Sequence, residues 1–122
     1  LSATPCQRRL KRLEEAGVIM GYAARVSTAA VGLPLQAFVQ VALESHSEEM
    51  AERFHTALAA RPEVIAAYTM SGEMDYLLHI LAPDMEAFSD FATRGLLRMP
   101  GVRETRSSFV LATQKQAGEV PV

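Results

Sequence analysis

Apolar positions recur along this chain with two alternating periods. Over "QAFVQVALE" (36–44) every second residue is apolar: Ala37, Val39, Val41 and Leu43 line one side of a predicted strand. Over "SEEMAERFHTALAARP" (47–62) the spacing becomes helical. Met50, Phe54 and Leu58 share a stripe, Ser47 stands at the N-cap, and acids fill the first turn. "EVIAAYTMS" (63–71) and "DYLLHILA" (75–82) read as strands, joined by the tight turn "GEM" (72–74) into a hairpin. "DMEAFSDFATRGLLRMP" (84–100) reads as a second helix, capped by Asp84, with Phe88, Phe91, Ala92 and Leu96 on its apolar face. "GVRETRSSFVLA" (101–112) is the last strand, and "TQKQAGEVPV" (113–122) a polar tail.

The order from residue 36 is therefore β-α-β-β-α-β. It predicts an α+β, ferredoxin-like sandwich: a four-stranded antiparallel sheet with two helices on one face. A short internal echo agrees. "LAARPEV" (58–64) aligns with "LLRMPGV" (96–102), Leu over Leu, Pro over Pro and Val over Val, each where a helix hands over to a strand. The uncovered sheet face would hold Phe38, Gln40, Ile65, Ala67, Thr69 and Leu77. A half-apolar face on so small a sheet calls for a partner, and at least a homodimer is expected.

Ahead of this unit, residues 2–16 read as a helix. Ser2 or Thr4 is its N-cap, Pro5 is tolerated in the first turn, Cys6, Leu10 and Leu13 form one stripe, and Gly17 ends it. "VIMGYAARV" (18–26) reads as a short β-ribbon bending near Gly21. "STAAVGLP" (27–34) reads as a connector of about one turn, capped by Ser27 and closed by Gly32.

Charge sharpens this division. The net charge is −2, yet the first twelve residues hold Arg8, Arg9, Lys11 and Arg12 and no acid. A basic end on an acidic body suits a polyanion, although Lys and Arg also serve as ordinary solvated helix formers. A length of 122 residues, 49% apolar, is enough for one hydrophobic core. No run approaches the roughly 20 apolar residues of a membrane span. One cysteine allows no internal disulfide, and a cytoplasmic protein is expected.

Catalytic signatures are missing. His46, His55 and His79 have no metal-ligand spacing with one another or with Cys6, so no metal or cofactor is expected. No nucleophile elbow, phosphate loop or zinc-protease motif occurs. The loop "SGEMD" (71–75) is the better candidate. Gly72 permits a turn whose backbone N–H groups could hold a carboxylate, and Asp75 could meet an ammonium. Thr105 and Ser107, on one face of the last strand, could add hydroxyl contacts. An ordinary hairpin turn would look the same.

Three stretches, "LSATPCQRRLKRLEEAGVIMGYAA", "PEVIAAYTMSGEMDYLLHI" and "MPGVRETRSSFVL", resemble the Lrp/AsnC family of feast/famine transcription regulators, and together they extend the resemblance over nearly all of residues 1–112. It implies that residues 1–26 are the recognition helix and ribbon of a winged helix-turn-helix, 27–35 a linker, 36–112 an effector-binding and oligomerisation domain, and 113–122 a tail. In that reading Ser2, Thr4, Gln7 and Arg8 lie near base edges of double-stranded DNA, and Arg9, Lys11 and Arg12 meet phosphates. The effector, an amino acid in this family, would contact Ser71, Gly72, Glu73, Met74, Asp75, Thr105 and Ser107, with Glu73 and Met74 tuning its side chain. Dimers assembling into tetramers or octamers are implied as well. The family carries two helices before this point, so the resemblance also implies a fragment that holds DNA weakly or not at all. Two other classes fit the βαββαβ order: a dimeric α+β-barrel enzyme resembling a cofactor-free monooxygenase, and a stand-alone amino-acid sensor. The first leaves the basic helix without a purpose and lacks a reactive centre; the second requires that nothing precede residue 1.

Overall fold

A computed structural model describes residues 4–122. Helix α1 (Pro5–Glu15) comes first, followed by β1 (Leu35–Leu43), α2 (Glu48–Ala59), β2 (Val64–Thr69), β3 (Tyr76–Ala82), α3 (Met85–Asp90) and β4 (Val102–Phe109). The strands form one antiparallel sheet in the order β2-β3-β1-β4, the split-βαβ topology of the ferredoxin-like class. β2 and β4 both start on the valine of the internal echo, Val64 and Val102.

The core lies between the sheet and its two covering helices. Ala37, Val39, Val41 and Leu43 of β1 and Tyr76, Leu78, Ile80 and Ala82 of β3 meet Phe54, Leu58, Phe88, Phe91 and Leu96. The period-two pattern of β1 is therefore the inward face it predicted. Ser47 caps α2 by accepting from the Met50 N–H, and Asp84 caps α3 by accepting from the Ala87 N–H.

Three local expectations are corrected. The helix read over 84–100 does not run straight. After α3 the chain widens into a π turn (Phe91–Gly95) and closes as a 3₁₀ turn (Leu96–Arg98). Phe91 and Leu96 are five residues apart and both buried, and a π turn brings residues at that spacing onto one face. The Thr93 hydroxyl also donates to the Ser89 carbonyl, which loosens the regular ladder. Residues 18–26 form no strand, because no second strand lies beside them to share a ladder. Finally, a bulge between Val64 and Ala66 shifts the register of β2. Ala67 and Thr69 consequently stand opposite Leu78 and Tyr76 on the helix side. Ala66 and Tyr68, opposite His79 and Leu77, join Phe38 and Gln40 on the open face.

Helix α1 has both ends well specified. Thr4 and Gln7 form a capping box, the threonine Oγ1 accepting from the Gln7 N–H at 3.2 Å and the Gln7 Oε1 from the Thr4 N–H at 2.8 Å. Gly17, at φ +79°, closes a Schellman motif: its N–H donates to Glu14 O and the Val18 N–H to Leu13 O. The connector after it behaves as read, with Ser27 capping the Ala30 N–H and Gly32 at φ +80°. No described residue of α1 is buried, and Leu10 and Leu13 are each 40% exposed.

Candidate functional site

The β2–β3 turn is closed by the Met70 N–H donating to Asp75 O and the Asp75 N–H donating to Val41 O. Gly72 sits at φ +109°, where side-chain-bearing residues are strained, and open space surrounds the position a Cβ would take. Ser71 and Glu73 are exposed. Met74 is only 6% exposed, so it is buried and does not stand on the rim of the turn.

Asp75 anchors this turn. Its Oδ2 accepts from the Leu43 N–H at 2.8 Å, and its Oδ1 lies 3.0 Å from His46 Nε2. The Leu43 N–H does most to hold the carboxyl below its ordinary range, with His46 and the Arg103 charge helping against partial desolvation. Asp75 is thus an ionised carboxylate at neutral pH. One oxygen is fixed on the sheet. Among the described residues, the other meets only an imidazole that is 84% exposed.

The last strand divides the remaining candidates between faces. Thr105 and Ser107 stand opposite Val41 and Val39 on the helix side; Arg106 stands opposite Gln40 on the open side. Arg106 lies 3.9 Å from Glu73 and 3.4 Å from Glu104, so it ties β4 to the turn. Thr105 and Ser107 make no hydrogen bond to the turn among the described residues. Sequence reading missed Arg106, the Leu43 N–H and His46 as neighbours of the turn. The only available signal was their position at the ends of strands that pair beside it.

The basic candidates sit where the helix places them. Arg8, Arg9, Lys11 and Arg12 are exposed and form no ion pair among the described residues. Thr4 and Gln7 are occupied in the capping box, leaving the Gln7 amide NH₂ as a free donor. Ser2 lies outside the described residues. Glu14 accepts a 2.6 Å bond from the Tyr22 hydroxyl and raises that phenol's pKa, which gives an acid at an otherwise unfavourable C-terminal position a local partner. Of the histidines, His55 Nε2 lies 3.0 Å from the Tyr76 hydroxyl, and His79 stacks on Phe38. Among the described residues no His, Cys, Asp and Glu side chains converge as metal ligands, and no helix is long and apolar enough to cross a membrane.

A ferredoxin-like unit joined to a basic, well-capped helix suits one class of protein, a ligand-binding regulator that also binds DNA. Comparison with known proteins agrees. The family model described as the Lrp/AsnC ligand binding domain matches residues 36–120, and a winged helix-turn-helix DNA-binding model matches residues 1–20. The chain is 37% identical over 122 residues to the DNA-binding transcriptional activator DecR of Escherichia coli, covering 100% of this chain and 80% of that protein. It superposes on a Neisseria meningitidis transcriptional regulator solved with L-methionine, at TM-score 0.91 and 42% identity, covering 99% of this chain and 78% of that one. A feast or famine regulatory protein from M. tuberculosis, also solved with L-methionine, gives TM-score 0.80 at 31% identity, covering 98% and 79%. The chain belongs to the Lrp/AsnC family of DNA-binding transcription regulators. It is a regulator and not an enzyme, which disposes of the monooxygenase alternative.

Proposed function

We propose that this chain binds a free amino acid at the turn formed by residues 71–75 and converts that binding into a change of assembly and of DNA occupancy, acting in the cytoplasm. The observation that carries the reading is the pairing of opposite polarities at one turn. The backbone around Gly72 and the Arg106 guanidinium suit a carboxylate, and ionised Asp75 suits an ammonium. Ser71 and Glu73 line the exposed rim. Met74 lies buried behind them and supports the turn from within. Thr105 and Ser107 come within reach only from the helix side of the sheet. Two structural relatives hold L-methionine, which supports an amino-acid ligand here.

The domain division follows the same reading: residues 1–26 face DNA, 27–35 link, 36–112 bind effector and assemble, and 113–122 trail. Arg8, Arg9, Lys11 and Arg12 meet the DNA backbone and base edges, helped by Gln7. A second copy covers the open sheet face, where Phe38, Tyr68 and Leu77 lie, and higher homo-oligomers build on that dimer. Effector binding between dimers biases the assembly, and linkage carries this to the DNA-reading helices.

Thermal unfolding in the presence of each of the twenty amino acids at millimolar concentration tests the ligand class. A ligand held only by the folded state adds about 2.7 kcal/mol at a hundredfold excess over Kd. One or two amino acids should raise the midpoint clearly. Twenty flat traces would contradict an amino-acid effector for this chain.

A further inference from the structure

The open sheet face carries one titratable group whose surroundings suit a single protonation state. His79, at the middle of β3, stacks on Phe38 of β1 with ring centroids 4.4 Å apart and planes 14° from parallel. Its Nε2 meets Gln36 Oε1, so the neutral ring donates from Nε2 and leaves Nδ1 bare. A second proton would sit on Nδ1, which has no acceptor among the described residues.

Gln36 Oε1 and the Phe38 face can serve either protonation state, so the balance is set by the charges and the burial around the ring. From β1 come Gln36 and Phe38, and from β2 comes Tyr68. The residues before β1 bring Arg25 and the C-terminal tail brings Lys115, and these line the same groove of about 1200 Å³. Among the described residues no carboxylate lines it. The acids elsewhere on the sheet already have partners: Glu104 and Glu73 lie by Arg106, and Glu63 by Arg61. Burial already lowers the His79 pKa in the single chain.

We infer that His79 makes assembly through this face proton-sensitive, the covered face accepting only the neutral imidazole. The inference rests on the reading that a second copy covers the face. A two-fold dimer brings two His79 rings and the same cations from both sides, so each copy must shed its proton to associate. The sign follows. A pKa lowered by assembly favours the dimer at high pH and weakens it as pH falls through the free protomer's value. With two rings per dimer, the dissociation constant rises by up to about a hundredfold per pH unit at the acidic limit.

Sedimentation equilibrium of this chain between pH 5 and 8 reads this directly, alongside His79→Gln and His79→Leu. The expected result is a dimer dissociation constant that climbs at least tenfold from pH 8 to pH 5 in the parent and stays flat in both variants, with unchanged far-UV circular dichroism. A dimer with a pH-independent constant, or one that tightens on acidification, overturns the role of His79 and leaves the dimer standing. A monomer at every pH overturns the covering copy, and the proton-sensitive assembly with it.

Discussion

Asp75 joins the fold to the site. Because its folded pKa is lowered, its contribution to stability is present above the unfolded value, about 3.9, and is lost as pH falls through the folded value. Asp75→Asn should cost about 1 kcal/mol at pH 7, measured by urea unfolding, since it weakens one charge-assisted bond to the part-buried Leu43 N–H. The gap between parent and variant should shrink below about pH 4. An undiminished gap at pH 3 would mean that the carboxylate charge is not what anchors the turn. Asp75 could be singled out from sequence, because a Gly-containing turn followed by Asp implies backbone hydrogen bonding. Its actual donor, the Leu43 N–H, could not, since that contact joins positions 32 residues apart. Met74 misled for a related reason. Nothing local to "SGEMD" tells an outward methionine from one that turns into the core.

At the scale of elements, the strands and caps were legible because they obey short-range rules: period two in β1, Ser47 and Asp84 before apolar stripes, Gly17 after one. The bulge in β2 and the π turn after α3 were not, because both answer to packing across the sheet. Gly101 shows the same dependence. It sits at φ +76°, and a Cβ there would collide with the Met50 side chain of α2. Gly101→Ala should cost about 2 kcal/mol in urea unfolding, from left-handed strain plus overlap. In a Met50→Ala background the same change should cost measurably less, because the overlap is gone and only the strain remains. Equal costs in both backgrounds would place the whole effect in the backbone. The π turn reflects the same dependence: in a straight α-helix Phe91 and Leu96 would point about 140° apart, and the widened turn brings them closer to one face.

For the molecule as a whole, the exposure of α1 bears on how it would hold DNA. The stripe of α1, Cys6, Leu10 and Leu13, is exposed among the described residues, and an isolated helix of this length is marginal in water. Residues 1–122 alone should therefore bind duplex DNA weakly, with little sequence preference, and the binding should fade as salt rises. A gel shift showing tight, sequence-selective binding by these residues would contradict that. The acidic remainder of the chain points the same way, because it repels the phosphate backbone wherever α1 does not lead.

In the proposed function residues 71–75 hold the effector. The most direct test is calorimetric titration of L-methionine, and of whichever amino acid raises the unfolding midpoint most, into the parent chain, Asp75→Asn and Arg106→Ala. Saturable binding to the parent is expected, with affinity weakened at least tenfold in each variant and both variants still cooperatively folded. Binding of unchanged strength in both folded variants would contradict it and move the effector site away from this turn.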